Sequence, residues 1–250
     1  QDWVRSQKLL AEHLGISRWA AVIGGSLGGM QALQWAIDYP EWVEHCVALA
    51  AAPKLTAQNI AFNEIARHAI LSDPDWYEGD YLSHDTIPTR GVALARMVGH
   101  LTYMSADGMS DRFGRELREG SFTPEAESEW VFQVESYLRH QGTRFSAQFD
   151  ANTYVLMTRA LDLFDLAVGD HGDLTAALDK AHADFLVLSF SSDWRFPPHR
   201  SIEIRDALMA AGKPVTYANI ETDNGHDGFL LPNETYEALL TQWMRRVGPA

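Results

Sequence analysis

The stretch Ala21-Val-Ile-Gly24-Gly-Ser26-Leu-Gly28-Gly29-Met30 decides how this chain is read. A short apolar run of β type breaks into a G-x-S-x-G turn and restarts as the helical pattern Met30-Gln-Ala-Leu-Gln-Trp-Ala36. Strand, turn and helix in that order form a nucleophile elbow, which lifts a serine hydroxyl onto a sharp strand-to-helix corner. Such a corner forces strained backbone angles and leaves little room for side chains beside the serine. The glycines at 24, 25, 28 and 29 are expected to meet that demand. The turn also sets Ser26 at a helix N-terminus, so the N–H of Leu27 is a candidate oxyanion donor.

A serine at neutral pH is a weak nucleophile and needs a histidine base steadied by a carboxylate, following it in the order acid, then histidine. The apolar run Ala183-Asp-Phe-Leu-Val-Leu-Ser-Phe190 reads as a buried strand and ends in Ser191-Ser-Asp193-Trp-Arg195-Phe-Pro-Pro198. Asp193, at that strand's C-terminal end, is the candidate acid. A second run, Val215–Ile220, alternates and leads into Gly225-His226-Asp227-Gly228, which makes His226 the candidate base. Asp223 and Asp227 are weighed as acids and set aside, because both lie too near His226 in sequence to come from the preceding strand end. The other nine of the ten histidines fall in amphipathic, loop or strand-edge contexts, where a structural role is the default.

Composition bounds the function. A chain of 250 residues with 46% hydrophobic and 22% charged residues can bury the core of one α/β domain. Its net charge of -14 argues against nucleic acid or an anionic membrane as partner, and any anionic co-substrate must be met by a local basic patch. The single cysteine, Cys46, lies in the apolar run His45–Ala51 and is expected to be a buried small hydrophobe, which fits a reducing cytoplasm. No stretch reaches the roughly 18 apolar residues of a membrane span, no signal segment opens the chain, and no repeat or metal-ligand spacing is found.

Strand-like runs at 19–24, 45–52, 184–190 and 215–220 alternate with helical patterns at 29–39, 199–212 and 234–247, as a parallel sheet requires. Between Pro53 and Asp170 the alternation stops and helical spacing takes over, as in 59–71, 92–101 and 129–138. The expected organisation is therefore sheet core over 1–53, an inserted helical lid over 54–170, and sheet core again over 171–250. An amphipathic helix, Asp2–Leu14, runs directly into the elbow strand. A doubly wound sheet is expected to hold strands ahead of that one, so the sequence reads as a fragment or processed form. The first strands and the second oxyanion donor would lie in a preceding segment.

Five segments together closely resemble the homoserine O-acyltransferases of the α/β-hydrolase fold: Gly24–Trp35, Ala95-Arg-Met-Val-Gly-His-Leu-Thr-Tyr103, Phe132–Arg139, Phe149–Tyr154 and Gly225-His-Asp227. The likeness covers essentially the whole chain and is nearest to proteobacterial homoserine O-succinyltransferases. It implies Ser26, Asp193 and His226 as a triad, Arg96 as the holder of the homoserine carboxylate and Asp227 as a contact to the substrate, through its ammonium group. A zwitterionic amino acid does need one fixed cation and one fixed anion flanking its reacting hydroxyl. His100, four residues after Arg96 on the same helical face, is expected beside it. Arg195, two residues after Asp193, matches the mark of succinyl-CoA users, and a buried succinyl carboxylate requires such a cation. The resemblance thus implies L-homoserine and succinyl-CoA as substrates, no permanently bound cofactor, and a homodimer joined through lid helices between 90 and 140. Alternatives are acetyl-CoA as donor, serine as acceptor, an esterase or thioesterase, and a non-catalytic scaffold.

Overall fold

A computed structural model of the chain describes residues 1–118 and 132–247. Four strands, β1 (Val22–Gly25), β2 (His45–Leu49), β3 (Asp184–Phe190) and β4 (Val215–Ile220), form one parallel sheet in the order β1-β2-β3-β4. Val22 pairs with Cys46, Cys46 with Phe185, and Phe185 with Val215, so the strands start within a residue of one another, while β3 and β4 run two residues past the ends of β1 and β2. Every C-terminal strand end therefore opens on one rim.

The sheet's two faces follow from the period of two along each strand. Cys46 and Ala48 of β2, with Phe185 and Val187 of β3, face one way. There they meet helices α1 (Asp2–His13) and α2 (Leu27–Asp38), the latter through Leu33, Ala36 and Ile37. Val47, Leu49, Leu186 and Leu188 face the other way, toward Trp243 on the last helix (Glu234–Met244). Strands β2 and β3 are buried on both faces, which explains why their sequences read as unbroken apolar runs rather than as alternations. The strand expected over 45–52 stops at Leu49, because Ala50 takes a positive φ of 46° and turns the chain off the sheet.

The chain divides into two compact units, one formed by Gln1–Lys54 with Phe164–Ala250 and the other by Leu55–Leu163. The second unit holds α3 (Ala57–Leu71), α4 (Thr89–Tyr103), α5 (Ala106–Phe113), α6 (Gln133–Ser146) and α7 (Ala151–Asp162). Of the helical pattern read over 129–138, residues 129–131 lie outside the described residues, and α6 opens at Gln133. Side-chain caps fix three of these starts: Thr56 accepts from the Asn59 N–H, Ser105 from Gly108 and Asp150 from Thr153. Gly91 lets α4 approach α3, since a Cβ there would sit 2.5 Å from the Ala69 carbonyl oxygen. The remaining helices, α8 (Leu174–Asp179), α9 (Pro198–Ala210) and α10 (Glu234–Met244), belong to the sheet unit.

The helical unit is tied internally by an ion pair that is mostly out of water. Arg67, 1% exposed, lies 2.7 Å from Asp162 on α7 and 2.8 Å from the more exposed Glu64, while Asn63 donates to the other Asp162 oxygen at 2.7 Å. Removing one partner of a buried pair strands the other charge in low dielectric. Asp162→Ala is therefore expected to destabilise the protein by roughly 3–5 kcal/mol, read as a lowered midpoint in urea denaturation, whereas Glu64→Ala should shift it far less.

Candidate active site

Ser26 stands between β1 and α2 with φ 56° and ψ -123°, a left-handed conformation that a side chain adopts only under strain. Its backbone N–H donates to the Leu49 carbonyl at 2.8 Å and its carbonyl accepts from the Met30 N–H at 3.1 Å, so the corner is held from both sides. A Cβ on Gly24 would lie 2.1 Å from the Gly28 backbone, and one on Gly25 would lie 2.2 Å from the Phe229 ring. Gly29 is nearly as crowded, 2.8 Å from the Ala51 Cβ. Gly28 corrects the sequence reading: nothing lies within 4 Å of a Cβ there, so packing does not demand glycine at that position. Leu27 is the first residue of α2, and its N–H is among those that a helix start leaves without an intrahelical acceptor.

Asp193 follows β3 and His226 follows β4 in the six-residue 3₁₀ helix Gly225–Leu230. The structure brings both to Ser26: His226 Nε2 lies 2.8 Å from the Ser26 Oγ and His226 Nδ1 lies 2.8 Å from Asp193 Oδ2. An ionised carboxylate only accepts, so Nδ1 carries the proton and Nε2 is left to receive the serine's. The other Asp193 oxygen accepts the backbone N–H groups of Arg195 at 2.9 Å and Phe196 at 2.8 Å, which locks the carboxylate's rotation. Asp193 and His226 are 2% and 3% exposed, so the pair is shielded from water. The His226 ring is flanked by Phe196 at 5.1 Å and Phe229 at 5.8 Å.

Sequence reading missed the fastening of the two loops that carry Asp193 and His226. Ser191 Oγ donates to the Thr222 carbonyl and accepts its N–H, and Ser192 Oγ accepts the Gly225 N–H at 2.9 Å. Two serines before an aspartate carry no recognisable spacing; only the parallel pairing of β3 with β4 reveals their use.

Of the other candidates, Asp227 is half-buried beside His226, Asp223 is exposed, and Arg195 is half-buried, meeting Asp193 through its backbone N–H. Arg96 belongs to the helical unit, on α4, with its guanidinium 4.6 Å from the Phe145 ring and 5.8 Å from Tyr103. His100, one turn on, is buried and lies 3.2 Å from the Tyr137 hydroxyl through Nδ1. Cys46 is a buried thiol whose pKa burial pushes up, so it is inert as a nucleophile. Among the described residues no group of three or more His, Cys, Asp or Glu is set to hold a metal, and no helix is long and apolar enough to cross a membrane.

The family defined by the alpha/beta hydrolase fold matches residues 2–231. This chain belongs to that family. An α/β-hydrolase sheet explains why the elbow, Asp193 and His226 follow β1, β3 and β4 in this order. Curated relatives include homoserine O-succinyltransferases of Litchfieldella anticariensis, 60% identical over 98% of this chain and 63% of the relative, and of Saccharophagus degradans, 57% identical over 99% and 65%. Among solved structures, homoserine O-acetyltransferase from Bacillus anthracis superposes with a TM-score of 0.83 at 26% identity, covering 98% of this chain and 63% of that one. Esterase E22 superposes at 0.84 and 27% identity, covering 98% and 65%. The chain spans 59% to 65% of the length of the curated relatives that it matches.

Asp193→Asn would present an amide to Nδ1 and favour the tautomer with its proton on Nε2, where it cannot take one from Ser26. Labelling of Ser26 by a fluorophosphonate is expected to slow by roughly a thousandfold or more, measured by intact mass, with the thermal midpoint little changed. His100 supplies a pH test. Burial first, then the charges of Arg96 and Arg112, push its pKa down from the ordinary 6.5 to about 4. The unfolded chain takes up that proton as pH falls through 6.5 and the folded one does not until about 4, so stability drops across this window. Melting curves at pH 6.5 and 4.5 are expected to lie closer together in His100→Asn than in the parent.

Proposed function

We propose that the protein transfers a succinyl group from succinyl-CoA to the hydroxyl of L-homoserine through a succinyl-serine intermediate on Ser26. The observation that carries the reading is the His226 ring bridging the Ser26 hydroxyl and the Asp193 carboxylate at 2.8 Å on each side. The names of its relatives, homoserine O-succinyltransferase at 56% to 60% identity, support the choice of substrates.

In the first step His226 Nε2 takes the Ser26 proton as Oγ attacks the thioester carbonyl. The Leu27 N–H is assigned to the resulting oxyanion. Collapse of the tetrahedral species expels the CoA sulfur, which leaves with the proton that His226 holds. In the second step the homoserine hydroxyl gives its proton to His226 and attacks the acyl-serine, and Ser26 departs with that proton. Asp193 stays ionised throughout and stabilises the imidazolium. Arg96 is assigned the amino acid's carboxylate and Asp227 its ammonium, both on the resemblance. Arg195 is assigned the distal carboxylate of the succinyl group, since an acyl chain ending in an anion needs a cation where water is scarce. A reading with acetyl-CoA as donor is favoured by the Bacillus anthracis neighbour, and one with water as acceptor by esterase E22.

The same reading includes a homodimer formed through the helical unit, in a cytoplasmic setting. Leu94 and Leu101, seven residues apart on α4 and 48% and 46% exposed, offer an apolar strip for such a contact.

Acyl transfer to homoserine, measured with succinyl-CoA and acetyl-CoA side by side, tests the proposal. A succinyl preference is expected, falling about tenfold or more in Arg195→Leu, with Ser26→Ala at least about a thousandfold slower. Equal rates with both donors, unaltered by the Arg195 substitution, would remove the reason for choosing succinate. CoA release that homoserine fails to accelerate would favour the esterase reading.

A further inference from the structure

His226 reaches Ser26 across the width of the sheet. Ser26 follows β1 and His226 follows β4, and β2 and β3 lie between those strands. A spacing of roughly 4.8 Å per strand puts the two starting points about 14 Å apart, so no ladder hydrogen bond sets the depth at which the imidazole arrives. The bonds from Asp193, Ser191 and Ser192 fasten the His226 loop to the one that follows β3, its neighbour in the sheet. They do not measure its distance from β1.

One side chain touches both the imidazole and the elbow. Side chains three residues apart share a face of a 3₁₀ helix, and Phe229 lies three residues after His226 in Gly225–Leu230. Its ring meets the imidazole edge-on, with centroids 5.8 Å apart. The same ring occupies the place of a side chain at Gly25, the residue before Ser26. The three atoms nearest a Cβ there are all Phe229 ring carbons, at 2.2, 2.4 and 2.9 Å. Gly25 does not take a positive φ, so its backbone angle would accept a side chain, and it is the ring that stands in the way. Gly24 is the contrast: a Cβ there meets the Gly28 backbone at 2.1 Å, and shrinking a neighbouring side chain cannot make room. Phe229 also packs against the apolar cluster that includes Leu188 and Phe190. A ring displaced from Gly25 is therefore driven against a close-packed cluster or against the imidazole.

We propose that Phe229 is a positioning residue that sets how close the His226 imidazole comes to the Ser26 hydroxyl, with the bare backbone of Gly25 as its seat. The inference rests on Ser26 and His226 acting as nucleophile and base. With the ring seated, His226 Nε2 lies 2.8 Å from Ser26 Oγ. A misplacement of about 1 Å between reacting groups can cost about a hundredfold in rate. A phenyl ring has no proton to exchange with the serine, so its effect passes through the imidazole.

Labelling of Ser26 by a fluorophosphonate, followed by intact mass on the whole chain, tests this in two mutant cycles. In the first, G25A is expected to slow labelling about tenfold to a hundredfold in the parent, but by no more than about twofold when added to F229L, where the seat is no longer contested. In the second, F229L is expected to slow labelling about tenfold when His226 is present, and by no more than about twofold when added to H226A, because nothing is left to position. Circular dichroism checks the folding of each variant, and if G25A does not fold the second cycle decides alone. An equal loss from G25A in the parent and in F229L, or an equal loss from F229L with and without His226, overturns the proposal while leaving the reactivity of Ser26 dependent on His226. If Ser26 of the parent takes no label, or takes it as fast in H226A, the reading of nucleophile and base fails and this inference with it.

Discussion

The chain of hydrogen bonds from Asp193 through His226 to Ser26 is the constraint on which the rest of the site depends. Its members are separated by 33 and 200 residues, so no local preference can assemble them. A parallel sheet can. With β1, β2, β3 and β4 in register and in that order, the segments following β1, β3 and β4 emerge at one rim, and each delivers one member. The carboxylate's second oxygen is occupied by two backbone N–H groups, so the imidazole meets an acceptor whose orientation is already fixed.

Strain and burial are concentrated at the same place. Ser26 takes a left-handed backbone conformation, and the hydrogen bonds from its N–H to Leu49 and to its carbonyl from Met30 hold that conformation against its preference. Crowding at Gly24, Gly25 and Gly29 shows how closely β1, α2 and Phe229 approach there. The two aromatic rings beside His226 and the serine bonds between the acid and base loops leave the imidazole few other orientations. Preorganisation of this kind holds the three side chains in one geometry, which is what the proposed attack by Ser26 requires. The helical unit contributes a different chemistry: arginines laid on aromatic faces, around a histidine that burial keeps neutral.

Much of the arrangement was legible before the structure. The elbow was readable because its glycines and serine occupy consecutive positions between an apolar run and a helical pattern. Asp193 and His226 were readable because each follows an apolar run of strand length. Gly28 was misread, since a glycine's presence does not reveal whether anything would touch its Cβ. The extent of β2 was overread by three residues, because Ala50–Ala52 are as buried and apolar as the strand itself and differ only in backbone angle.

The sequence by itself determined that a serine, an aspartate and a histidine follow strand-length apolar runs in that order, the α/β alternation and the helical insert between β2 and β3, because these are written in local periodicity and in the spacing of turn residues. Only the tertiary structure decided that β1 to β4 align at one rim, that Ser191 and Ser192 join the two loops, that Arg67 pairs with Asp162, and that Arg112 and Arg115 lie on aromatic rings. Those are contacts between residues distant in the chain or in different elements. Their strength depends on distance, orientation and exclusion of water, none of which a string of residues specifies before it is packed.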